Sequence, residues 1–332
     1  MGKRHAGRSA RPARGRTRPP LSHGLVARSP AMRALVAQAR RYAKSDANVL
    51  ITGETGAGKD AVARALHVLG GRAAQPFVTV DCPGLPASLL EAELFGYERG
   101  AFTDASVTRA GRFELAGRGT IYLDRVHELP TELQAKLLRL VEHKQVERLG
   151  SSAAIPILAR IVASADSQIE DAVESGTFRA DLYHRLGVLP LRVPPLRERR
   201  ADLPWLVRRL LREAARQAGR PAPKLTPAAH ARIAAYSWPG NVRELRHVLN
   251  RAVLATSGPV IDADDLSLEP QPVESLFASR DGDDRRPTLE ALERRYIELV
   301  LRETRGSQTR AARILGISRK ALWEKRRRYG LQ

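Results

Sequence analysis

The chain has little cysteine, no long apolar run and no acidic residue near its start. Its single cysteine, Cys82, excludes an internal disulfide framework and fits a reducing compartment. No apolar stretch reaches the roughly 18 to 20 residues that cross a bilayer. The first 20 residues hold seven Lys or Arg and no acid, but no apolar segment of a secretory signal follows them. We therefore expect a cytoplasmic protein that does not engage a membrane, with a basic disordered tail over residues 1–23.

Basic residues outnumber acidic ones along the chain. Its 332 residues include 56 Lys or Arg and 36 Asp or Glu, which gives a net charge of +20. A fold does not require this excess, whereas the phosphate backbone of nucleic acid attracts it strongly. Nucleic acid is thus the first expected class of partner, and an anionic membrane surface is the second. The chain length predicts about two domains with short appendages.

The apolar pattern changes along the chain. Over residues 24–195, short β-branched runs alternate with helical stretches, which is typical of a mostly parallel sheet covered by helices. Over residues 196–266 the spacing is helical and predicts a small helical subdomain. Residues 267–287 collect Ser, Pro, Asp and Gly and indicate a flexible linker, and residues 288–332 form a compact helical unit. The candidate strands of the sheet are residues 49–51, 77–80, 120–123 and 160–163.

A glycine-rich segment follows the first candidate strand and precedes a helical stretch over residues 61–69. This is the context of a Walker A loop, in which backbone N–H groups and a helix N-terminus surround phosphates. Lys59 is expected to reach the β- and γ-phosphates of ATP. Where the general motif ends in Ser or Thr for Mg²⁺, the chain has Asp60. The predicted nucleotide-binding residues of the loop are Gly53, Glu54, Thr55, Gly56, Ala57, Gly58, Lys59 and Asp60.

An acidic residue ends another candidate strand. Asp124 follows the apolar run 120–123, and an acid in this position near a phosphate-binding loop holds Mg²⁺ directly or through water. We therefore predict Asp60 and Asp124 as metal-binding residues, and Asp124 as part of the catalytic site.

Five motifs, in order, resemble the AAA+ activators of sigma-54 RNA polymerase, also called bacterial enhancer-binding proteins. Besides the Walker A loop, residues 93–105 are similar to the family's ELFG segment and GAFTGA loop. The resemblance runs from about Leu25 to Gln332. It implies an α/β fold of the AAA+ P-loop type, with a parallel sheet over residues 24–195, a helical lid over 196–266, and ATP bound between the subunits of a ring that is usually a hexamer. The remaining motifs are residues 178–186, 194–199 and 238–245.

The resemblance also implies roles for single residues. Arg179 and Arg185 match the arginine-finger segment and are expected to reach a γ-phosphate held by the neighbouring subunit. A guanidinium suits this role because it stays charged and its planar fork matches phosphate oxygens. Arg243 is expected to sense the nucleotide from the lid. Phe102 and Thr103 are the expected contacts with the sigma factor of the RNA polymerase holoenzyme.

The chain departs from the family pattern at four functional positions. Arg125 stands where the family has the Glu that positions or deprotonates the attacking water, and a guanidinium cannot act as that base. Asp81 and Asp166 stand where the family has Asn, and Asp104 replaces a Gly of the projecting loop. We therefore predict a protein that binds ATP and hydrolyses it slowly or not at all. The sequence leaves open whether the chain is an active enzyme.

Two further interpretations concern the surroundings of Arg125. Its guanidinium has two candidate ion-pair partners, Asp81 and Asp166, and either pair would replace a catalytic acid by a structural contact. Glu128 matches an acid that the family has in addition to its catalytic Glu. We expect Glu128 to cap the following helix rather than to serve as the base.

The C-terminal residues predict a small all-α domain of the helix-turn-helix type. Residues 309–315 and 318–328 indicate two helices joined by a two-residue turn. Ser318 is placed to cap the second helix, whose basic face suits the major groove of double-stranded DNA. This segment resembles the Fis-type module of many sigma-54 activators, in which a preceding helix, here 288–302, helps the modules dimerise. The predicted DNA-binding residues are Ser318, Arg319, Lys320, Trp323, Lys325, Arg326 and Arg327.

Two functions stay open at this point. One is a sigma-54-type activator that binds upstream DNA and engages the polymerase holoenzyme in an ATP-dependent way. The other is a repressor or accessory regulator in which ATP controls assembly without energy transduction. The Phe102–Thr103 pair favours the first function, whereas Arg125 and Asp104 favour the second. Because about 24 residues precede the core, we expect control through expression level, a partner protein or the basic tail.

Overall fold

The computed structural model describes residues 25–103, 105–268, 288–304 and 306–331. The predictions for the basic tail, for Asp104 and for most of the linker lie outside these residues. The described residues fall into two compact units. One unit comprises the residues up to Lys224 together with Trp238–Val260, and the other comprises Leu225–Ser237 together with the residues from Ile261 onward.

A five-stranded parallel sheet forms the centre of the first unit, in the spatial order β2-β5-β8-β1-β9. The four strands predicted from the sequence are all present in it. The fifth strand, β9, was not predicted. The strands are β1 (Val49–Thr52), β2 (Phe77–Asp81), β5 (Thr120–Asp124), β8 (Arg160–Ala165) and β9 (Leu189–Arg192).

Successive residues of β1 face two different apolar cores, one on each side of the sheet. Leu50 belongs to the core that holds most of the buried side chains of β5 and of the helix after it. Val49 and Ile51 belong to the core on the other side, with residues of helices α1 (Pro30–Tyr42) and α2 (Lys59–Leu69). A strand buried on both faces has a continuous apolar sequence, which is why β1 lacks alternation.

Seven more helices and two short hairpins complete the first unit. Two of these helices, α8 and α10, pack against each other. The helical spacing predicted over residues 196–266 is confirmed in α8, whose apolar residues are buried along one face. The hairpins are β3 (Gly96–Tyr97) with β4 (Arg109–Ala110) and β6 (Gln145–Glu147) with β7 (Ala154–Pro156). The helices are α3 (Ala87–Phe95), α4 (Arg112–Leu115), α5 (Thr131–His143), α6 (Ile169–Glu174), α7 (Ala180–Leu186), α8 (Leu203–Gln217) and α10 (Asn241–Ala255).

The second unit contains α9 (Pro227–Ala235) and a three-helix domain made of α11 (Leu289–Glu303), α12 (Gln308–Leu315) and α13 (Arg319–Tyr329). Gly316 adopts φ +66° between the last two helices, as the predicted tight turn requires. The two remaining short strands are β10 (Lys224–Leu225) and β11 (Val260–Ile261). None of the described helices combines the length and the apolar character needed to cross a bilayer. The core of the three-helix domain consists of Ile297, Val300, Leu301, Ala311, Ala312 and Leu322.

Candidate functional site

The carboxyl ends of β1, β5 and β8 meet at one edge of the sheet. The strand order places β8 between β1 and β5, so the glycine-rich loop after β1, Asp124 at the end of β5 and Asp166 after β8 lie along this edge. Open parallel sheets bind ligands at such an edge, where the strand order reverses. The fold thus brings together residues that are about 70 to 110 positions apart in the chain.

Three glycines of the loop adopt a backbone conformation that side chains disfavour. Gly53, Gly56 and Gly58 have φ values of +153°, +78° and +98°. A Cβ atom on Gly53 would lie 2.7 Å from the carbonyl oxygen of Val193, and one on Gly56 would lie 2.4 Å from that of Gly240. The loop therefore needs glycine at all three positions for its path, and at Gly53 and Gly56 also for its close approach to neighbouring backbone.

Lys59 opens helix α2 and turns back into the loop. Its side chain is buried, and Nζ donates hydrogen bonds to the carbonyl oxygens of Gly53 (2.6 Å) and Glu54 (3.2 Å). Burial lowers the pKa of Lys59, while the carboxylates of Asp166 and Asp124 act in the opposite direction. The ammonium group is thus held among backbone oxygens at the edge of the sheet.

Asp124 is oriented by two hydroxyl groups. Its Oδ1 accepts hydrogen bonds from the hydroxyl of Tyr122 (2.9 Å) and from Oγ of Ser164 (2.5 Å). Ser164 is fully buried on β8, the strand next to β5. Burial, followed by the nearby charge of Asp124, raises the pKa of Tyr122, so its hydroxyl stays protonated as a donor. These contacts fix the carboxylate beside the loop.

Arg125 pairs with Asp81. The backbone of Arg125 is left-handed, with φ +57°, and its N–H donates to Oγ of Ser164 (3.1 Å). Its Nη2 donates to Oδ1 of Asp81 at 2.7 Å, and Nη1 lies 3.5 Å from Oε1 of Glu128. Partial burial disfavours the charge of Arg125, but the hydrogen bond to Asp81 and the nearby carboxylates outweigh it and raise the pKa. Of the two predicted partners, Asp81 is the one that Arg125 contacts.

The prediction that Glu128 caps the following helix is wrong. Pro130 occupies the N-cap position of α5, and Glu128 instead pairs with Arg125 across one turn of a short 3-10 helix. Asp166, the other candidate partner of Arg125, accepts a hydrogen bond from Oγ of Ser167 at 3.1 Å. Glu128 thus makes its contact with Arg125 rather than with the N-terminus of α5.

A cleft with a volume of about 450 Å³ adjoins the loop. It brings together the predicted residues Thr55 to Asp60, Asp124 and Arg243, while Gly53 and Glu54 form the adjacent part of the loop. Six further lining residues are apolar: Leu25, Val26, Ala61, Leu206, Leu210 and Val242. Six arginines line it: Arg64, Arg125, Arg199, Arg209, Arg243 and Arg246.

Arg199 is a cleft residue that the sequence analysis did not single out. It is 4% exposed, and its Nη2 donates to the carbonyl oxygen of Ala57 at 2.5 Å. Its Nε is buried and has no hydrogen-bond partner, and burial lowers the pKa of the group. The only signal in the sequence was its place in the motif over residues 194–199. Without the fold, Arg64, Arg209 and Arg246 cannot be told from surface arginines.

Asn241 ties the lid to the loop. It is fully buried with φ +55°, and its Nδ2 donates to the carbonyl oxygen of Thr55 and to Oε2 of Glu54, both at 3.1 Å. Its Oδ1 accepts from the N–H of Leu196 at 2.7 Å. Asn241 is the first residue of α10, which also carries Arg243, so these hydrogen bonds join the loop directly to that helix.

Glu54 connects the same loop to the segment that precedes α8. Arg197 donates two hydrogen bonds to its carboxylate, at 2.8 and 2.5 Å. The hydrogen bond from Arg197 is the largest influence on the pKa of Glu54, which is lowered despite partial burial. Glu54 is therefore a charged link between loop and lid.

The two predicted arginine fingers lie outside the cleft lining. Arg179 is 42% exposed and pairs with Asp181 at 2.8 Å, and Arg185 is 60% exposed and pairs with Glu142 at 3.1 Å. Neither is among the residues that line the cleft of its own chain. Both are thus placed at the surface around α7.

The predicted sigma-contact residues lie on an exposed loop with a braced base. Phe102 is 42% exposed, and its ring lies edge-on to that of Tyr97, with 5.0 Å between centroids. Thr103 is exposed as well. At the base of the loop, Arg148 donates to Glu98 at 2.9 Å and to Glu114 at 2.6 Å. Hairpin β6–β7, which carries Arg148 in its turn, is thereby joined to the loop.

Among the residues that the structure describes, no cluster of three or more His, Cys, Asp or Glu side chains is arranged to hold a metal. The predicted metal-binding residues Asp60 and Asp124 both line the cleft. Mg²⁺ at nucleotide sites takes one or two carboxylates and completes its shell with phosphate oxygens and water. The number of carboxylates at the cleft is thus the number that such a shell takes from a protein.

In the three-helix domain, Ser318 caps α13 as predicted, since its Oγ accepts a hydrogen bond from the N–H of Ala321 at 3.1 Å. Four of the other predicted DNA-binding residues are exposed: Arg319, Lys320, Trp323 and Arg327. Lys325 and Arg326, which were expected to face outward, are half-buried. Lys325 donates to Oε1 of Glu293 on α11 at 2.6 Å, so part of the basic helix also stabilises the domain.

Three family profiles match the chain. The sigma-54 interaction domain matches residues 25–192, the AAA+ ATPase lid domain residues 197–276, and the bacterial regulatory protein, Fis family, residues 288–329. The regulatory protein AtoC of Escherichia coli is 42% identical over 92% of this chain and 68% of its own length. The transcriptional activator HyfR of Escherichia coli is 40% identical over 92% of this chain and 48% of its own length.

A solved structure is also similar. NtrX from Brucella abortus, crystallised in complex with ADP, superposes with a TM-score of 0.70 at 36% identity, covering 93% of this chain and 70% of NtrX. The parallel sheet, the glycine-rich loop and the lid define the class as an AAA+ P-loop protein with a C-terminal helix-turn-helix domain. Within this class, the chain belongs to the family of sigma-54-interacting transcription regulators.

Proposed function

We propose that this chain is a transcription regulator that binds ATP and upstream DNA, engages sigma-54 RNA polymerase holoenzyme, and hydrolyses ATP poorly. The observation that carries the proposal is the Arg125–Asp81 ion pair of 2.7 Å at the carboxyl edge of the sheet. It lies beside a loop and a cleft that retain the features of a nucleotide site. The protein would therefore bind ATP without hydrolysing it efficiently.

The cleft fits a magnesium-bound nucleoside triphosphate. The loop 53–59 carries three glycines with positive φ and a buried lysine, and it opens a helix N-terminus that attracts phosphate. Lys59 would exchange its bonds to loop carbonyls for phosphate oxygens, with Asp60 and Asp124 sharing the metal. The apolar residues Leu25 and Leu206 offer a surface for the base. NtrX, the similar structure, was crystallised with ADP and with ATP.

Hydrolysis needs a base that takes a proton from water. Arg125 stands where the family has Glu. A guanidinium that pairs with Asp81 stays protonated and cannot take this proton. A general base contributes about 10² to 10⁴-fold to such a reaction. We therefore expect ATP hydrolysis to be slower, by about that factor, than in relatives that keep the Glu.

Nucleotide binding and hydrolysis measured on one preparation test the proposal. We expect wild-type protein to bind an ATP analogue with magnesium and to release phosphate only slowly. Lys59→Ala serves as the matched control, because it removes the phosphate-binding cation while Arg125 stays in place; we expect it to lose binding. Normal turnover by the wild-type protein, or no affinity for adenine nucleotides at millimolar concentration, contradicts the proposal.

We further propose that ATP is bound between the subunits of a homo-oligomer, in the ring, usually a hexamer, that the family resemblance implies. Arg179 and Arg185 support this, because both are exposed and lie outside the cleft lining of their own chain. A guanidinium in this position would reach a phosphate held by a neighbour.

We also propose a cytoplasmic location. The family supports it, and a lone cysteine fits a reducing compartment.

For the DNA-binding domain we propose a dimer. On α11, Leu289 is 85% exposed and Tyr296 is 43% exposed, and the partly buried Leu292 and Leu299 stand between and beyond them. Positions 289, 292, 296 and 299 follow the 3–4 spacing of a helix that packs against a second helix. Two copies would pair along this stripe and present two α13 helices to a two-fold site. Arg319, Lys320, Trp323 and Arg327 then face double-stranded DNA.

The second candidate function is a repressor or accessory regulator in which ATP controls assembly only. The same Arg125–Asp81 pair favours it, whereas the exposed Phe102 and Thr103 favour contact with sigma-54. Formation of open complexes by sigma-54 polymerase in vitro discriminates the two. Activation that depends on Phe102 supports the first function, and DNA binding without activation supports the second.

A further inference from the structure

A groove on the outer face of α8 carries a set of arginines around one exposed tryptophan. It has a volume of about 410 Å³ and is lined by Trp205, Arg208, Arg209, Arg212, Glu213 and Arg216. These residues are spaced three and four apart, so they share one side of the helix. The opposite side of α8 is buried. We refer to these six residues as the α8 arginine groove.

Trp205 holds two guanidinium groups in place. Its ring is 43% exposed, and the Cζ atoms of Arg28 and Arg208 lie 4.2 and 4.8 Å from its centroid. A guanidinium stacked on an aromatic ring keeps its N–H donors in the plane, where they remain directed at acceptors. The stacking also restricts the side chains before a ligand arrives. Trp205 therefore makes a preorganised site for an anion with several oxygens.

The charge of the groove is strongly positive. It holds four arginines and one carboxylate, and that carboxylate, Glu213, is 2.7 Å from Arg209. Arg208, Arg212 and Arg216 are exposed and recur every four residues, which is about 6 Å along a helix. A ligand that matches this row needs repeated negative charges rather than a single one.

We propose that the α8 arginine groove binds the phosphate backbone of duplex DNA without reading its sequence. A DNA strand offers a phosphate about every 3.4 Å of helix axis, so successive arginines of the row meet different phosphates. The Trp205 platform suits the bidentate contacts that arginine makes with phosphate oxygens. The groove gives the AAA+ unit its own contact with DNA, separate from that of α13. The inference rests on the proposed function only in taking DNA as the partner.

The salt dependence of DNA binding by the full-length protein tests this inference. Affinity for a random-sequence duplex is measured by fluorescence anisotropy over a range of salt concentrations. Arg208→Ala combined with Arg212→Ala removes two phosphate contacts, and we expect the slope of log affinity against log salt to shrink by about 2. Arg209 is left intact because it also lines the nucleotide cleft. Unchanged nucleotide binding by the double variant establishes that the unit is folded.

The matched control removes two exposed arginines from the last turn of α1, Arg40→Ala with Arg41→Ala. It changes the net charge equally, and we expect little change in slope. If the groove variant behaves like this control, the inference is wrong. It is also wrong if the groove variant lowers self-association in sedimentation velocity while the slope stays at the wild-type value, since the occupant is then a second copy of the chain.

Two further variants separate this site from the helix-turn-helix and test the platform. Arg319→Ala with Lys320→Ala weakens specific binding through α13, and in that background the groove variant should still reduce the slope. If the α13 variant has no effect on DNA while the groove variant does, the proposed function fails and this inference stands. Trp205→Ala should weaken binding and Trp205→Phe should retain it; equal affinity of both variants with the wild type argues against a positioning role for the ring.

Discussion

At the scale of single residues, Asp81 and Arg125 are two departures from the family pattern that form an ion pair with each other. Asp81 pairs in register with Asp124 on the neighbouring strand, so Arg125, one residue further along, is next to two carboxylates. The family resemblance implies Asn and Glu at the two exchanged positions. Replacing the Glu alone by a cation would leave that cation opposite a neutral amide, whereas Asp81 gives it a charged partner at 2.7 Å. The two substitutions are in contact, so their effects are expected to be coupled.

The coupling predicts that activity returns only when both residues are changed. Arg125→Glu alone places a new carboxyl group beside Asp81, Asp124 and Glu128. The like charges of these residues disfavour ionisation of the new group. Asp81→Asn with Arg125→Glu removes part of this repulsion, and we expect ATP hydrolysis to rise about tenfold to a hundredfold over wild type. Phosphate release measures the effect. A double variant no faster than the single variant counts against the coupling.

A matched control changes an ion pair away from the cleft. Arg72 and Asp46 lie 2.5 Å apart and do not line the nucleotide site. Asp46→Asn with Arg72→Glu makes the same chemical exchange there, and we expect no gain in hydrolysis.

Asn241 predicts a stability effect at the same scale. Asn241→Ala leaves the N–H of Leu196 and the carbonyl of Thr55 without the partner that Asn241 supplied, and it puts Ala at φ +55°. We expect unfolding free energy to fall by about 2–4 kcal/mol, measured by urea unfolding. Arg251→Ala, at an exposed position of the same helix, should change it by less than about 0.5 kcal/mol. Equal stability of the two variants contradicts the proposed role of Asn241.

Single residues differ in how far the sequence predicts them. Lys59 and Asp124 are predictable because a glycine-rich loop between strand and helix, and an acid after a strand, are local patterns. Arg199 and Asn241 are not, because their importance comes from burial and from partners over 140 positions away, Ala57 and Thr55. The sequence does not distinguish a buried asparagine with a left-handed backbone from an exposed asparagine.

At the scale of elements, the exposed loop after β3 is braced by hairpin β6–β7. Glu98 accepts hydrogen bonds from Thr108 (2.6 Å) across the loop and from Arg148 (2.9 Å), and the N–H of Gly100 donates to the carbonyl of Ala105 (2.8 Å). Glu114, on α4, also binds Arg148. The loop that carries Phe102 therefore depends on a side chain of another element for its shape.

Loss of Arg148 should loosen this loop. Arg148→Gln removes the charge-assisted bonds to Glu98 and Glu114, so the loop should open more often by local unfolding. We expect chymotrypsin to cut after Phe102 several times faster than in the wild type, with little change in nucleotide binding. Arg118→Gln, at another exposed arginine, is the matched control and should be cut at the wild-type rate. No difference between the two variants is evidence against bracing by Arg148.

The same contact predicts a pH dependence. Hydrogen bonds from Arg148 are the first cause that lowers the pKa of Glu114 below its ordinary value of 4.5. A carboxyl group with a lowered pKa in the folded state stabilises the fold above the unfolded value, and this contribution is lost as pH falls through the folded value. The stability difference between wild type and Glu114→Gln should thus be full at neutral pH and shrink below about pH 4.5. Urea unfolding of both proteins, at neutral pH and below about pH 4.5, measures this difference. A difference that stays constant contradicts the role given to Glu114.

Elements were predicted where their sequence pattern is local and strong. The four predicted strands are runs of β-branched and apolar residues, and α8 has a regular apolar face. Strand β9 was missed because it contains Pro190, and a proline within a short run argues against a strand. The two-residue strands β3 and β4 have no periodicity at all, and only their pairing in the folded chain defines them.

At the scale of the whole molecule, the proposed assembly depends on two exposed arginines. Arg179 and Arg185 each have an acidic partner within their own chain, so the bound phosphate of a neighbour would compete with Asp181 and Glu142. Exposed ion pairs are weak, about 0 to 1 kcal/mol. A desolvated phosphate between subunits offers more charge than either carboxylate does.

We predict that these arginines control assembly rather than nucleotide affinity. Arg179→Ala with Arg185→Ala should reduce ATP-dependent oligomerisation in sedimentation velocity, while nucleotide affinity at low protein concentration stays near that of the wild type. Asp181→Ala is a useful comparison, because it frees Arg179 from its local partner and should leave assembly intact or strengthen it. Full ATP-dependent assembly by the double arginine variant contradicts the proposal.

The sequence alone indicated the class of this protein: the AAA+ α/β unit with its loop, the lid and the helix-turn-helix. These follow from short-range patterns of glycine, apolar spacing and motif order, which need no knowledge of distant contacts. The tertiary structure decided which carboxylate pairs with Arg125, that Asn241 joins lid to loop, that Lys325 turns inward, and that α8 presents arginines around Trp205. Each of these depends on side chains far apart in the chain being brought within a few ångströms, and such proximity is created only by the packing of the fold.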